Sequence, residues 1–172
     1  MTDAVMYAKY NQEGNKAIYD ILSAMSNEER EKDRKSFYGS LSGMLRHTLG
    51  GTVFFLGMFQ PALAGNAEAS RAIASLPALP ADGPLDDGQW KQFGKTMAAI
   101  DSAYVAMAES LSEADLKLPV KLDWYGGNPD SVPISYLLSQ LLVHNTHHRG
   151  QISQVLDEMK IENDFSGIGI LP

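Results

Sequence analysis

The sequence predicts an all-α fold: a four-helix bundle with long crossover connections and a small β-hairpin before the last helix. Three observations predict it. Four long segments carry apolar residues at steps of three and four, the connection between the second and third is long and rich in Ala, Pro and Gly, and LKLPVKLDW with the segment after GGNPD reads as a hairpin. At 172 residues the chain can build one core and is short for a second, so 1–172 reads as a single domain.

The first helix is expected over about 3–25, with Tyr7, Asn11, Gly14, Ile18, Ile21 and Met25 along one face. Ser26 and Glu29 then suit a capping box for a short following turn. Ser40 can cap a second long helix that runs to Gln60 before Pro61, its inner face Leu41, Met44, Thr48, Gly51, Phe55 and Met58. The third shows a seam of Trp90, Phe93, Met97, Ile100, Tyr104, Met107 and Leu111 with no polar residue in it. Pro133 is acceptable in the first turn of the fourth, which extends to about Lys160. Between the second and third helices, an Ala-, Pro- and Gly-rich stretch is too long for a tight turn and has room for a short helix. The apolar tail DFSGIGILP is expected to cover a bundle end or a neighbouring subunit.

Composition narrows the function. The net charge is −7 and basic residues are scattered; the densest group, Arg30 to Lys35, is interrupted by acids and reads as a solvated turn. Nucleic acid is therefore not an expected partner, since a binding face needs clustered positive charge. No run of eighteen apolar residues appears, so no membrane span is expected, and the first residues lack the pattern of a secretory signal, which points to the cytoplasm. The chain has no cysteine, so any metal must be held by nitrogen and oxygen, and any thiol must come from outside.

Histidine is the informative residue. There are four, and His144, His147 and His148 fall within VHNTHHRGQ. The last helix's apolar positions Leu137, Leu141, Ile152, Val155 and Met159 leave two gaps in the stripe, at 144 and 148. At about 100° per residue these two lie within about 40° of each other on the buried face, with His147 roughly 90° off its centre. Two imidazoles one turn apart suit a shared metal ion, or a pair of hydrogen-bonded core histidines. His47, near the inner face of the second helix, can supply a third nitrogen. Three neutral imidazoles leave the charge of a dication available to lower the pKa of a bound water or thiol. Gly50 and Gly51 either keep that face open for a ligand or allow close helix packing. Asn11, Gln140 and Gln151 fall near the same face and, with His147 on the flank, can orient ligands or substrate. Arg149 falls on the outer side by the same angles and is expected to pair with an acid there.

HNTHHRGQ on the last helix, His47 after FYGSLSGMLRH, and YNQEGN near the N-terminus followed by SNEE resemble the DinB-like (YfiT-like) family over nearly the whole chain. The resemblance implies a four-helix bundle, commonly dimeric, with a nickel or zinc ion on three histidines, here His47, His144 and His148. Relatives include thiol-dependent S-transferases and a thiol-dependent isomerase. The sequence departs from them at Thr52, where relatives often carry an acid, and at Phe55 and Glu13, where they often carry tryptophan.

Two functional classes follow. The first is a metal-dependent enzyme, a hydrolase or a transferase using a small external thiol, with a small-molecule substrate. The second is a non-catalytic dimeric metal-binding or stress-associated protein. A third reading has no metal, only a polar core network.

Overall fold

The structure, a computed structural model, describes residues 2–80, 82–122, 130–165 and 167. Its elements in chain order are α1 (Asp3–Ser23), α2 (Asn27–Glu31), α3 (Leu41–Phe59), α4 (Ala67–Ala74), α5 (Asp87–Ser110), a 3₁₀ turn (Asp115–Lys117), β1 (Pro119–Lys121), β2 (Ser131–Pro133) and α6 (Ile134–Glu158). The four long helices form the bundle. α3 lies along α6 and α1 along α5, and α6 also touches α1.

Helix starts follow local chemistry. Thr2, Ser26, Ser40 and Asn66 each accept a backbone N–H from three residues on, satisfying one of the amides that a helix start leaves unpaired. Ser26 shows only this half of the expected box, whereas Asp86 and Gln89 form a complete one at α5 that the sequence reading missed. α4 is the short helix expected in the long connection, and it packs on α5.

β1 and β2 pair antiparallel, with Val120 opposite Val132 and both buried. The hairpin turn, including Trp124, lies outside the described residues, as do Ser166 and 168–172 of the tail. Phe165 in that tail is buried, and its carbonyl accepts the Tyr10 hydroxyl at 2.7 Å.

Three expectations need correction. α1 buries Ala8, Asn11, Asn15, Ile18 and Leu22, a face rotated slightly from the one expected, because α5 and α6 flank it on two sides. The seam of α5 is not free of polar residues, since Asp101 beside Ile100 is 1% exposed. Arg30 is not solvated. Its guanidinium lies 4.6 Å over the Trp90 ring and bonds Asp87, so its stem and charge are used in packing.

Two apolar clusters fill the bundle. One is built on Phe55, Phe59, Tyr104, Met107, Leu137 and Leu141, the other on Ile18, Leu22, Leu45, Phe93, Ile100 and Ile152. Most buried polar side chains of the long helices fall near the junction between them: Asn11 and Asn15 on α1, Thr48 and Thr52 on α3, Asp101 on α5, and Asn145, His148 and Arg149 on α6, whereas Ser42 and Thr96 lie within the second cluster. The core is thus two apolar halves separated by a polar layer at mid-height.

Candidate metal centre

The histidines sit in this layer. α3 and α6 pack side by side and run in opposite directions through the two apolar clusters, which brings His47 level with His144 and His148. The Nε2 atoms of His47 and His148 are 3.1 Å apart. One ligand atom from each of the three rings lies within 4.8 Å of the others. Two imidazoles on one zinc-like ion, each about 2.0–2.1 Å from it at a tetrahedral angle, hold their nitrogens about 3.3 Å apart. The His47–His148 pair fits that spacing, and the His144 ring is close enough to complete the set. Among the described residues this is the one group of three or more His and acidic side chains close enough to hold an ion.

Local contacts orient the rings. Gln151 Oε1 lies 2.8 Å from His148 Nδ1, and Asn145 Oδ1 lies 3.1 Å from His144 Nδ1. A carbonyl oxygen accepts, so each Nδ1 is the protonated nitrogen and each Nε2 carries the lone pair that a metal requires. Tyr38 stacks on His47 with ring centres 4.0 Å apart and meets His148 edge-on. Burial pushes the His47 pKa down to about 4, helped by repulsion from His148 and then His144. His148 is lowered as well, again mainly by burial. These rings are therefore neutral near pH 7.

Gly51 is what lets His144 in. A Cβ on Gly51 would fall inside the space of the His144 ring, whereas one on Gly50 would meet only Leu79 Cδ1 at 3.6 Å. Of the two readings of this glycine pair, close packing describes Gly51, and the tight partner is the candidate ligand itself. Gly50 instead borders a cavity of about 530 Å³ whose walls include Phe37, Tyr38, Arg46, His47 and Leu79. The cavity reaches His47 from outside the bundle, and Phe37 at its edge is 96% exposed.

The remaining sequence-selected residues divide. Gln151 is exposed but holds His148. His147 is exposed, its ring 4.9 Å from that of His148. Gln140 is exposed on the turn before His144. Asn11 is buried and bonds Asp101, Asn145 and Arg149 rather than a histidine. Arg149 corrects the angular expectation, for it is 1% exposed and lies over the Tyr10 ring and against Asn11. Sequence reasoning also missed Tyr38, Asn145 and Asp101. The one signal for the last two was the unexplained pair Asn11 and Asn15, one turn apart on a buried face.

The model of the DinB family matches residues 1–160. No curated protein and no solved structure matches the chain. Among the described residues no helix is long and apolar enough to cross a membrane.

Proposed function

The chain belongs to the DinB family, and from that membership and the histidine geometry we propose that it is a metal-dependent enzyme acting on a small molecule. His47, His144 and His148 hold a divalent transition ion, nickel or zinc. The observation that carries this reading is the 3.1 Å approach of two neutral Nε2 atoms from helices a hundred residues apart, with a third ring beside them. Without a cation the same approach is a hydrogen bond with His47 Nε2–H donating to His148 Nε2, since Gln151 holds the His148 proton on Nδ1; the third imidazole beside the pair is what favours a cation over that proton.

When bound, the ion supplies Lewis acidity to an incoming oxygen or sulfur group. The protein's own residues shape the rest. Gln151 keeps His148 in the ligating tautomer. Tyr38 covers the face of His47 and excludes water there, while the cavity beside it gives a small substrate its approach. Hydrolysis and transfer of a small external thiol both suit this arrangement, since the chain carries no thiol of its own. The same reading includes a single domain, a cytoplasmic homodimer and no nucleic-acid partner. The large apolar side chains exposed on α3 and α6, Phe54, Tyr136 and Val143, support self-association.

The test is metal analysis of protein purified without chelator, followed by a panel of low-molecular-weight thiols with electrophiles beside esters and amides. Metal near one equivalent, and turnover that disappears on chelation, is the expected result. Less than about a tenth of an equivalent of any transition metal sinks the reading, and turnover that survives chelation sinks its mechanism.

A further inference from the structure

A primary amide has a donating end and an accepting end, and its neighbours decide which faces where. In the polar layer that decision can be followed from Arg149 to a histidine. Guanidinium nitrogens only donate, and Arg149 Nη2 lies 3.3 Å from Asn11 Oδ1, which fixes that end of Asn11 as oxygen. Its other end donates Nδ2 to Asp101 Oδ1 at 2.9 Å. The Asn11 oxygen also accepts from Asn145, whose Nδ2 is 2.6 Å away and 3.2 Å from Thr52 Oγ1. With its nitrogen committed inward, Asn145 turns Oδ1 to His144 Nδ1. Arg149 closes the circuit by donating Nε to the Asn145 carbonyl at 3.3 Å. Asn11, Asn145 and Arg149 are 1–2% exposed, so bulk water does not compete for these bonds.

We propose that Asn145 is a positioning residue: the one-way chain Arg149–Asn11–Asn145 fixes His144 as the Nδ1–H tautomer and reserves its Nε2 lone pair for the group formed with His47 and His148. The proposal rests on the metal reading of those histidines for its consequence, and on hydrogen-bond direction alone for the tautomer. His148 differs, because its partner Gln151 is an exposed neighbour on the same helix. The orientation of His144 is set across α1, α3 and α6 together.

Long-range ¹H–¹⁵N correlation of the ring nitrogens in metal-free wild-type protein near neutral pH reads the tautomer directly. Nδ1-protonated His144 is expected, and Nε2-protonated His144 overturns the proposal with no mutation made. In Asn145→Leu, His144 should move toward the Nε2–H form, and zinc affinity in chelator competition should fall about tenfold to hundredfold. An unchanged tautomer, or an affinity within about twofold of wild type, overturns it. Should that variant fail to fold, Asn11→Leu, which touches no histidine, must shift the same tautomer; an unmoved signal counts against the chain. If wild-type protein binds no zinc, the metal reading fails and the tautomer measurement still decides this one.

Discussion

His47 and His148 stand 101 residues apart in the chain and meet edge to face, ring centres 4.4 Å apart and Nε2 atoms 3.1 Å apart. Neither helix gains packing from this approach that an aliphatic pair would not give better, since each ring keeps a polar nitrogen to satisfy. A proton on His47 Nε2 satisfies the two of them, and a cation satisfies these two and His144 together. His148→Ala and His47→Ala should therefore each lower zinc or nickel affinity by at least about a hundredfold, more than the loss typical of an outer-sphere partner. Metal titration of the purified variants checks this, with helical circular dichroism in chelator showing that the bundle survives.

Gly51 and Gly50 should separate cleanly. Gly51→Ala sets a methyl against the His144 ring, so the ring must move or α3 must part from α6. The expected cost is about 1–3 kcal/mol in urea denaturation together with weakened metal binding. Gly50→Ala meets only ordinary contact with Leu79 and should raise helix stability by about 0.5–1 kcal/mol, with metal binding kept. Equal effects of the two substitutions would contradict the assignment of Gly51 to the His144 ring.

Acid should empty the site and loosen the fold together. The His47 pKa is pushed down to about 4 in the folded chain, against 6.5 for the free side chain. Between those values the unfolded chain binds a proton that the folded ring refuses, so stability is complete above about 6.5 and lost as the pH falls through about 4. His148 shifts in the same direction. Urea midpoints of metal-free protein measured from neutral to acid pH should fall, and His47→Gln should flatten the slope. Bound metal should leave over the same range as protons take the ring nitrogens.

Arg149 should prove central to the bundle. Its guanidinium occupies the space that a side chain at Gly14 would need, and it bonds the Tyr10 carbonyl at 3.2 Å. Gly14→Ala displaces a buried charge from its partners, and the expected destabilisation is about 3–5 kcal/mol. Arg149→Lys should also destabilise, because an ammonium cannot reach Asn11, Tyr10 and the Asn145 carbonyl together. Chemical denaturation of both variants measures this.

The bundle was legible in the sequence because helical periodicity survives in each helix taken alone. The pair His144 and His148 was legible for the same reason, since both fall in gaps of an apolar stripe. Arg149 was not. An angle measured on α6 locates a residue relative to that helix's own stripe, but α6 is flanked by α1 as well as α3, and the second neighbour covers the side that looks outward. Asp101 was hidden beside Ile100 because a seam read from apolar residues alone passes over a buried carboxylate next to it. Burial raises its pKa to about 7, against opposing bonds from Asn15 and Asn11 and the charge of Arg149. Asn145 carried no pattern on its own helix, only the indirect signal of Asn11 and Asn15, and its contacts with Asn11, Thr52 and His144 are ones that sequence spacing does not encode.

The polar layer at mid-height also settles how the helices are aligned along their length. Two aliphatic faces can slide past one another by a turn, about 5.4 Å, and still bury similar area. Here a one-turn slip of α6 would carry His148 away from His47 and part Asn145 and Arg149 from Asn11. Such mispairing strands charges and amides without partners, at several kcal/mol. The residues that gather the candidate ligands therefore act as a ruler for the whole bundle, so a chain that has found its fold has assembled the site in the same step.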